Sequence, residues 1–261
     1  MIEETLSDWF RKFDSCLVAF SGGLDSSVVA KAACLALGEK SFAVTAWSAS
    51  SFQHEQDFAE NIAKQIGIRF LLVESREFDD PLYTQNDKQR CYHCKRIRFA
   101  EMVQLAKEQG FAVVVDGSNA DDTLDYRPGK RAVEELGVRS PLLELGITKS
   151  QAREIAKSWN LSNWNKPASP CLSTRVAYNQ PLSNELLRRI EKAESLLESL
   201  GFSSIRVRVH GDNFARIEVA SEQIPRLLEP PIRDAIASTF RDVGFQFISV
   251  DIFGYKSGGM N

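Results

Sequence analysis

Ser21-Gly-Gly-Leu-Asp-Ser-Ser27 is the stretch on which the fold turns. The apolar run Cys16-Leu-Val-Ala-Phe20 precedes it, and Ser26 to Leu37 reads as a helix. A strand, a glycine turn and a helix start make an anion site, because turn amides and the positive end of the helix dipole face the bound oxyanion. Gly22 and Gly23 permit tight, positive-φ geometry and close approach of phosphate oxygens. Ser21 and Ser26 add hydroxyl donors, and Ser26 can also cap the helix. Asp25 stands out, since a carboxylate repels phosphate; that points to a bridging Mg²⁺ or to a capping role. No GxxxxGK(S/T) pattern is present, so the loop is not of the Walker kind.

Outward from this loop the chain alternates. Residues 2–12 read as an amphipathic helix, Ser41 to Trp47 as a second strand, and His54 to Ile66 as a helix stopped by Gly67. Arg69 to Val73 and Phe111 to Asp116 read as further strands. Strands apolar on both faces, alternating with helices, argue for a buried parallel sheet with its ligand beyond the carboxyl ends. Lys130 to Leu136 and Thr148 to Trp159 are expected helices. Past Leu182 the rhythm changes: a helix from Ser183 to Leu200, a hairpin across His210-Gly-Asp212, a helical stretch broken at Pro230-Pro231, and a last strand. The expectation is an α/β domain over 1–181 and a small α+β domain over 182–261.

With 261 residues, 43% of them hydrophobic, the chain can bury a sizeable core. The formal net charge of -3 argues against a nucleic-acid partner. No run of about 18 apolar residues occurs, so no membrane span is expected. MIEETLSDWFRKF lacks the apolar stretch of a signal peptide, which makes the cytoplasm the expected location. Five cysteines in such a chain are expected to be reduced, metal-binding or catalytic.

Cys91 and Cys94 form a CxxC at a predicted helix start, where the dipole and Lys95, Arg96 and Arg98 favour thiolates. Cys171 lies in Ala168-Ser-Pro-Cys-Leu-Ser-Thr-Arg175. Two thiolates at this spacing plus one distant thiolate suit a 4Fe–4S cluster with one open iron. Zinc with His93 as a fourth ligand, a redox CxxC and ordinary surface thiols are the other readings. Cys16 and Cys34 read as core residues. Asn119, Asp121 and Asp122 follow the fourth strand on the edge of the phosphate loop, where they suit Mg²⁺, ribose or substrate, or simply a capped turn. Arg127 and Arg175 suit a phosphate or carboxylate, and Trp47 suits adenine or the core. Arg206 and Arg208 share one face of a strand, as a plain basic face or a second anion site.

The order SGGxDS resembles the PP-loop of the ATP pyrophosphatase superfamily, whose members split ATP between its α and β phosphates and transfer AMP. Together with CYHCKR, DGSNADD, YRPG, SPCLSTR and the terminal GYKSGGMN, it resembles the LarE-type ATP-dependent sulfur transferases over nearly the whole chain. That resemblance implies a Rossmann-like PP-loop domain that adenylates a carboxylate of a pyridinium biscarboxylate mononucleotide and replaces its oxygen with sulfur, in the synthesis of a nickel-pincer nucleotide. It assigns Ser21, Gly22, Gly23, Asp25, Ser26 and Ser27 to ATP, with Asp25 and Cys171 catalytic. Cys171 matches the cysteine that single-cysteine members sacrifice. Cys91 and Cys94 depart from those members and resemble the branch whose three thiolates hold a 4Fe–4S cluster carrying the donor sulfide. Arg206 and Arg208 match arginines used for substrate phosphate, and Glu194 a helix carboxylate. Trimers or hexamers are implied. The rival readings are a tRNA thiolase, an amide-forming PP-loop ligase and a non-catalytic nucleotide sensor.

Overall fold

The chain is described from a computed structural model over residues 2–123, 128–167 and 169–256. In order run α1 (Ile2–Phe10), β1 (Cys16–Ala19), α2 (Leu24–Leu37), β2 (Ser41–Trp47), α3 (Gln53–Ile66), β3 (Arg69–Glu74), α4 (Pro81–Thr84), α5 (Arg90–Gln109) and β4 (Val113–Val115). Then come α6 (Pro128–Glu135), α7 (Pro141–Glu144), α8 (Lys149–Ser158), α9 (Asn184–Ser199), β5 (Arg206–His210), β6 (Phe214–Glu218), α10 (Pro230–Asp242) and β7 (Phe247–Val250). They divide into one unit of Met1–Asp80 with Gln89–Ser169, and another of Pro81–Lys88 with Pro170–Asn261.

The first unit is α/β. Four parallel strands lie in the order β3-β2-β1-β4. Side chains alternate across a strand, so the two faces of each run bury into different layers. Cys16, Val18, Ala43, Val113 and Val115 join the core built with α1, α2, α3 and α8. Leu17, Val44, Ala46 and Val114 join the core under α5 and α6. Both faces are covered, which is why these strands read as continuous apolar runs. The outer strand β3 departs from that reading. Its Leu71 and Leu72, at one end of the sheet, are each 37% exposed.

Helix α2 begins at Leu24, earlier than the expected Ser26, with Gly23 as its N-cap. Helix α8 is entered through a capping box, Thr148 accepting from the Gln151 N–H while the Gln151 side chain accepts from the Thr148 N–H.

The second unit is a small α+β body. β5 and β6 form the expected antiparallel hairpin, and β7 joins β6 in parallel. The unit starts at Pro170, not at Leu182, and takes in Pro81–Lys88. The reason lies in Asn86, whose buried side-chain amide donates to the carbonyls of Ala177 and Gln180. The Leu182 N–H donates to the Thr84 carbonyl, and the Tyr83 and Ser173 hydroxyls meet at 2.8 Å.

Among the described residues no helix is long and apolar enough to cross a membrane.

Candidate active site

The chain builds β1, β2 and β3 outward on one side and then crosses to place β4 on the other side of β1. Connections on the two sides of such a reversal diverge and leave a crevice at the carboxyl end of the sheet. Ser21–Ser27 occupies that point.

The loop closes on itself. The Ser26 hydroxyl donates to the Gly23 carbonyl (3.1 Å) and lies 3.0 Å from the Ser21 hydroxyl, which accepts from the Gly23 N–H. Gly22 takes φ +68, and a Cβ there would sit 2.8 Å from the Ala59 Cα. Both facts demand glycine. Gly23 offers no side chain, and no side-chain hydrogen bond caps α2. The first-turn amides therefore face the crevice uncapped, the arrangement that binds anions at helix starts.

Ser27 has a different place from its neighbours. It is fully buried, and the Asn163 side-chain amide donates to its hydroxyl and to the Gly22 carbonyl, each at 2.8 Å. Asn163 thus braces the loop from behind. Gly117, just past β4, braces it from the side: a Cβ at Gly117 would lie 2.7 Å from the Ser26 nitrogen. Neither residue was singled out by its sequence context.

The crevice is a cleft of about 730 Å³, lined by residues of the first unit alone, including Ser21, Gly23, Asp25, Ser26, Asn119 and Asp121. That volume falls within the roughly 300–1,000 Å³ typical of ligand pockets. The loop after β4 is tied by its own polar groups. Asn119 accepts from the Asp121 N–H, Asp122 accepts from the Asn119 N–H, and the buried Asp116 accepts from the hydroxyls of Ser118 and Ser140. Four lysines also line the cleft: Lys95, which follows the CxxC, and Lys130, Lys149 and Lys166, which carry no signal in the sequence pattern. Lys149 pairs with Asp25 at 2.7 Å, and Lys166 pairs with Glu55 at 2.5 Å and lies over the Phe58 ring. The remaining Asp25 oxygen, Oδ1, is buried without a hydrogen-bond partner. A spare hard oxygen beside an uncapped helix start fits Mg²⁺ arriving with phosphate. Trp47 ends β2, outside the residues that line this cleft. Arg127 lies outside the described residues.

On α5, Cys91 is exposed and Cys94 half-buried, one helical turn apart, so both thiols fall on one side of the helix. Gly129 lets α6 approach there, since a Cβ would lie 3.1 Å from the Cys91 carbonyl oxygen. The nearby arginines are committed to carboxylates, Arg96 to Asp80 and Arg98 to the fully buried Glu77. Burial pushes Glu77 toward protonation, but the Arg98 charge and the hydrogen bonds from Arg98 and Ser48 outweigh it and hold the carboxyl low. Cys16 is wholly buried, which drives its thiol pKa far up. Burial raises Cys34 likewise. Both suit core packing rather than ligation. Among the described residues no group of three or more His, Cys, Asp or Glu side chains is arranged to hold a metal ion.

In the second unit, Cys171 is exposed on a loop whose backbone is pinned. Its carbonyl accepts from the Thr174 N–H, the Thr174 hydroxyl and Arg175 Nη1. Arg175 is fully buried and pairs through Nε and Nη2 with the two oxygens of Glu194, which also accepts from the Val207 N–H. Arg208 is buried too, pairs with Glu218 and donates to the Thr174 carbonyl. Arg175 and Arg208 therefore clamp the Cys171 loop. Arg206 is half-buried over the Tyr255 ring, and burial, with Arg175 nearby, lowers its pKa.

The NAD synthase family model matches residues 2–126, the phosphate-loop part of the chain. An uncharacterized Synechocystis protein is 42% identical over 99% of this chain and 96% of its own length. A pyridinium-3,5-bisthiocarboxylic acid mononucleotide synthase from Lactiplantibacillus plantarum is 34% identical, over 98% of this chain and 92% of that enzyme. An uncharacterized Methanocaldococcus jannaschii protein is 29% identical over 98% of this chain and 96% of its own length.

Proposed function

The chain belongs to the LarE family of PP-loop enzymes, and on that premise we propose that it is an ATP-dependent sulfur transferase making a pyridinium thiocarboxylate mononucleotide. The observation that carries the reading is the uncapped α2 start at Gly23, set at the sheet's reversal point, in a chain similar at full length to a synthase of that product. The NAD synthase match favours an amide-forming ligase less, because it ends at residue 126, before Cys171 and its clamp.

The chemistry follows from the residues. A carboxylate is a poor electrophile, and AMP supplies a leaving group. The first-turn amides of α2, with the hydroxyls of Ser21 and Ser26, would cradle the phosphates, and Asp25 would share Mg²⁺ with them. Bound there, Mg²⁺ supplies charge neutralisation for the departing pyrophosphate. Asn119 and Asp121 would face ribose or substrate. Arg127 would serve phosphate and Trp47 the adenine, while Arg206 would meet the substrate phosphate. Arg175 and Arg208 act by holding the loop of the sulfur-handling Cys171.

For the sulfur, Cys91, Cys94 and Cys171 are the thiols that would hold a 4Fe–4S cluster. Its support is the thiolate chemistry, the one-turn spacing of Cys91 and Cys94, and the family resemblance. Such a cluster supplies an open iron for the sulfide of an external donor. The protein would work in the cytoplasm as a homo-oligomer, a trimer or hexamer.

The test is pyrophosphate release. ATP should yield AMP and pyrophosphate when the pyridinium biscarboxylate mononucleotide is supplied, and not with tRNA. Release that tRNA or ammonia stimulates instead would overturn the reading. Iron and sulfide analysis after anaerobic purification tests the cluster. The Cys91→Ala, Cys94→Ala and Cys171→Ala variants should each lose iron; unchanged iron in all three would end the cluster proposal. Mass analysis of Cys171 after turnover should find its sulfur retained.

A further inference from the structure

We propose that the groove between the end of α5 and strand β3 is a second ligand site, built for a flat aromatic carboxylate. It lies at the opposite edge of the sheet from the phosphate loop. Phe42 and Arg69 stand at the starts of β2 and β3, and Ser15 and Phe111 come just before β1 and β4. In a parallel sheet these positions share the amino edge, whereas Ser21–Ser27 leaves the carboxyl end of β1. The length of β2, Ser41–Trp47, separates the two edges by about 20 Å.

The groove exists because α5 covers only part of its face of the sheet. The helix packs against β4, β1 and β2. Leu71 is in register with Val44, so its side chain leaves the sheet on the face where Val44 is buried beneath α5. Val44 is fully buried, yet Leu71 is 37% exposed. The uncovered strip leaves a cavity of about 450 Å³, lined by residues of the first unit alone. That volume lies within the roughly 300–1,000 Å³ of small-molecule sites.

The walls define the ligand. Phe42 and Phe111 stack with their ring planes 13° and their centroids 5.8 Å apart, and Leu71 and Leu105 add aliphatic surface. A rigid ring suits such a wall, since aromatic faces gain from offset stacking. Lys40 and Arg69 line the same groove. The Arg69 guanidinium lies 5.2 Å from the centre of the Phe42 ring, and its Nη2 donates to the Glu39 carbonyl. Its fork is thus set beside an aromatic face, where arginine can take a planar carboxylate. The Glu39 carboxylate competes for that fork, 3.9 Å from Arg69 Nε, but it is 93% exposed. An exposed pair of this kind is weak, so an incoming carboxylate displaces it. Lys40 has no ion-pair partner among the described residues. With two cations and one carboxylate the lining carries a net +1, the complement of a monocarboxylate. These charges favour a small anion over a second copy of the chain, whose docking would bury them.

The probe is 2-naphthoate, measured by equilibrium dialysis against the full chain, Lys40→Gln, Arg69→Gln and Leu71→Glu, with 2-naphthamide as its uncharged counterpart. The unaltered chain should bind the acid at least about fivefold more tightly than the amide. Lys40→Gln and Arg69→Gln should each weaken the acid about 3- to 10-fold and leave the amide within about twofold. Leu71→Glu, which sets a carboxylate in the exposed wall, should abolish binding of the acid and sediment as the unaltered chain does. ATP with Mg²⁺ should leave the affinity for the acid within about twofold. Equal binding of acid and amide, or no binding of the acid by the unaltered chain, would overturn the proposal. Displacement of the acid by ATP would place it in the phosphate-loop cleft instead, and a smaller assembly for Leu71→Glu would make the groove an interface between copies; either result overturns the proposal too.

Discussion

Substituting Gly117 by alanine tests whether the sheet and the phosphate loop are built as one piece. The added methyl would meet the Ser26 nitrogen at 2.7 Å, the Ser26 Cα at 3.0 Å and the Asp25 carbonyl carbon at 3.1 Å. All three are backbone atoms, which no rotamer change can move aside. The closest lies roughly 0.7 Å or more inside ordinary van der Waals contact, so either β4's loop or the first turn of α2 must shift. Overpacking of this kind costs about 1–3 kcal/mol, which in a chain of this size lowers Tm by roughly 4–8 °C for a 2 kcal/mol loss. The larger effect should fall on activity. A displacement of the helix start approaching 1 Å can cost about 100-fold in rate, so kcat/KM for pyrophosphate release should fall at least about tenfold. Gly67→Ala is the control. Gly67 also has positive φ (+82), but its methyl would meet nothing within 4 Å. It should cost about 1–2 kcal/mol for the left-handed backbone and leave kcat/KM near normal. A Gly117→Ala protein with unaltered Tm and unaltered kcat/KM would refute the argument.

Glu77→Gln should destabilise the first unit by about 3 kcal/mol, read as a lower urea midpoint, because it removes the buried carboxylate charge that faces the Arg98 guanidinium. Glu77 titrates below the ordinary glutamate value of 4.5, so its contribution is complete above that pH and is lost as pH falls through the depressed value. The glutamine variant should lack this acid limb, and an identical acid profile would count against the pair. Glu194→Gln should cost about 3–5 kcal/mol by removing the carboxylate charge that pairs bidentately with the buried Arg175. It should also speed iodoacetamide labelling of Cys171 as the clamp loosens; unchanged labelling with unchanged stability would contradict the clamp.

The strand–turn–helix at Cys16–Leu37 was legible because its signals are local: an apolar run, two glycines and a helical stretch lie side by side. The β5–β6 hairpin was legible for the same reason, through alternation around His210-Gly-Asp212. The second unit's claim on Pro81–Lys88 was not, since it depends on Asn86 meeting carbonyls 91 and 94 residues away. Asn163 and Lys149 were hidden likewise, reaching Gly22 and Asp25 across 141 and 124 residues. Arg175 and Arg208 show a further limit. Residue pattern identifies cations in a loop and on a strand face, but not the carboxylates of Glu194 and Glu218 that cover them. The phosphate-loop residues Ser21, Gly23, Asp25 and Ser26 come to one cleft with Asn119 and Asp121, while Ser27 turns inward to Asn163.

The most direct test of the proposed activity is the fate of the substrate itself. The chain, purified anaerobically, is incubated with ATP, Mg²⁺, a sulfide source and the pyridinium biscarboxylate mononucleotide, and the small molecules are weighed by mass spectrometry. The account predicts a thiocarboxylate, one AMP and one pyrophosphate appearing for each oxygen replaced by sulfur. An amide product, or ATP consumed while both carboxylates remain intact, would contradict it.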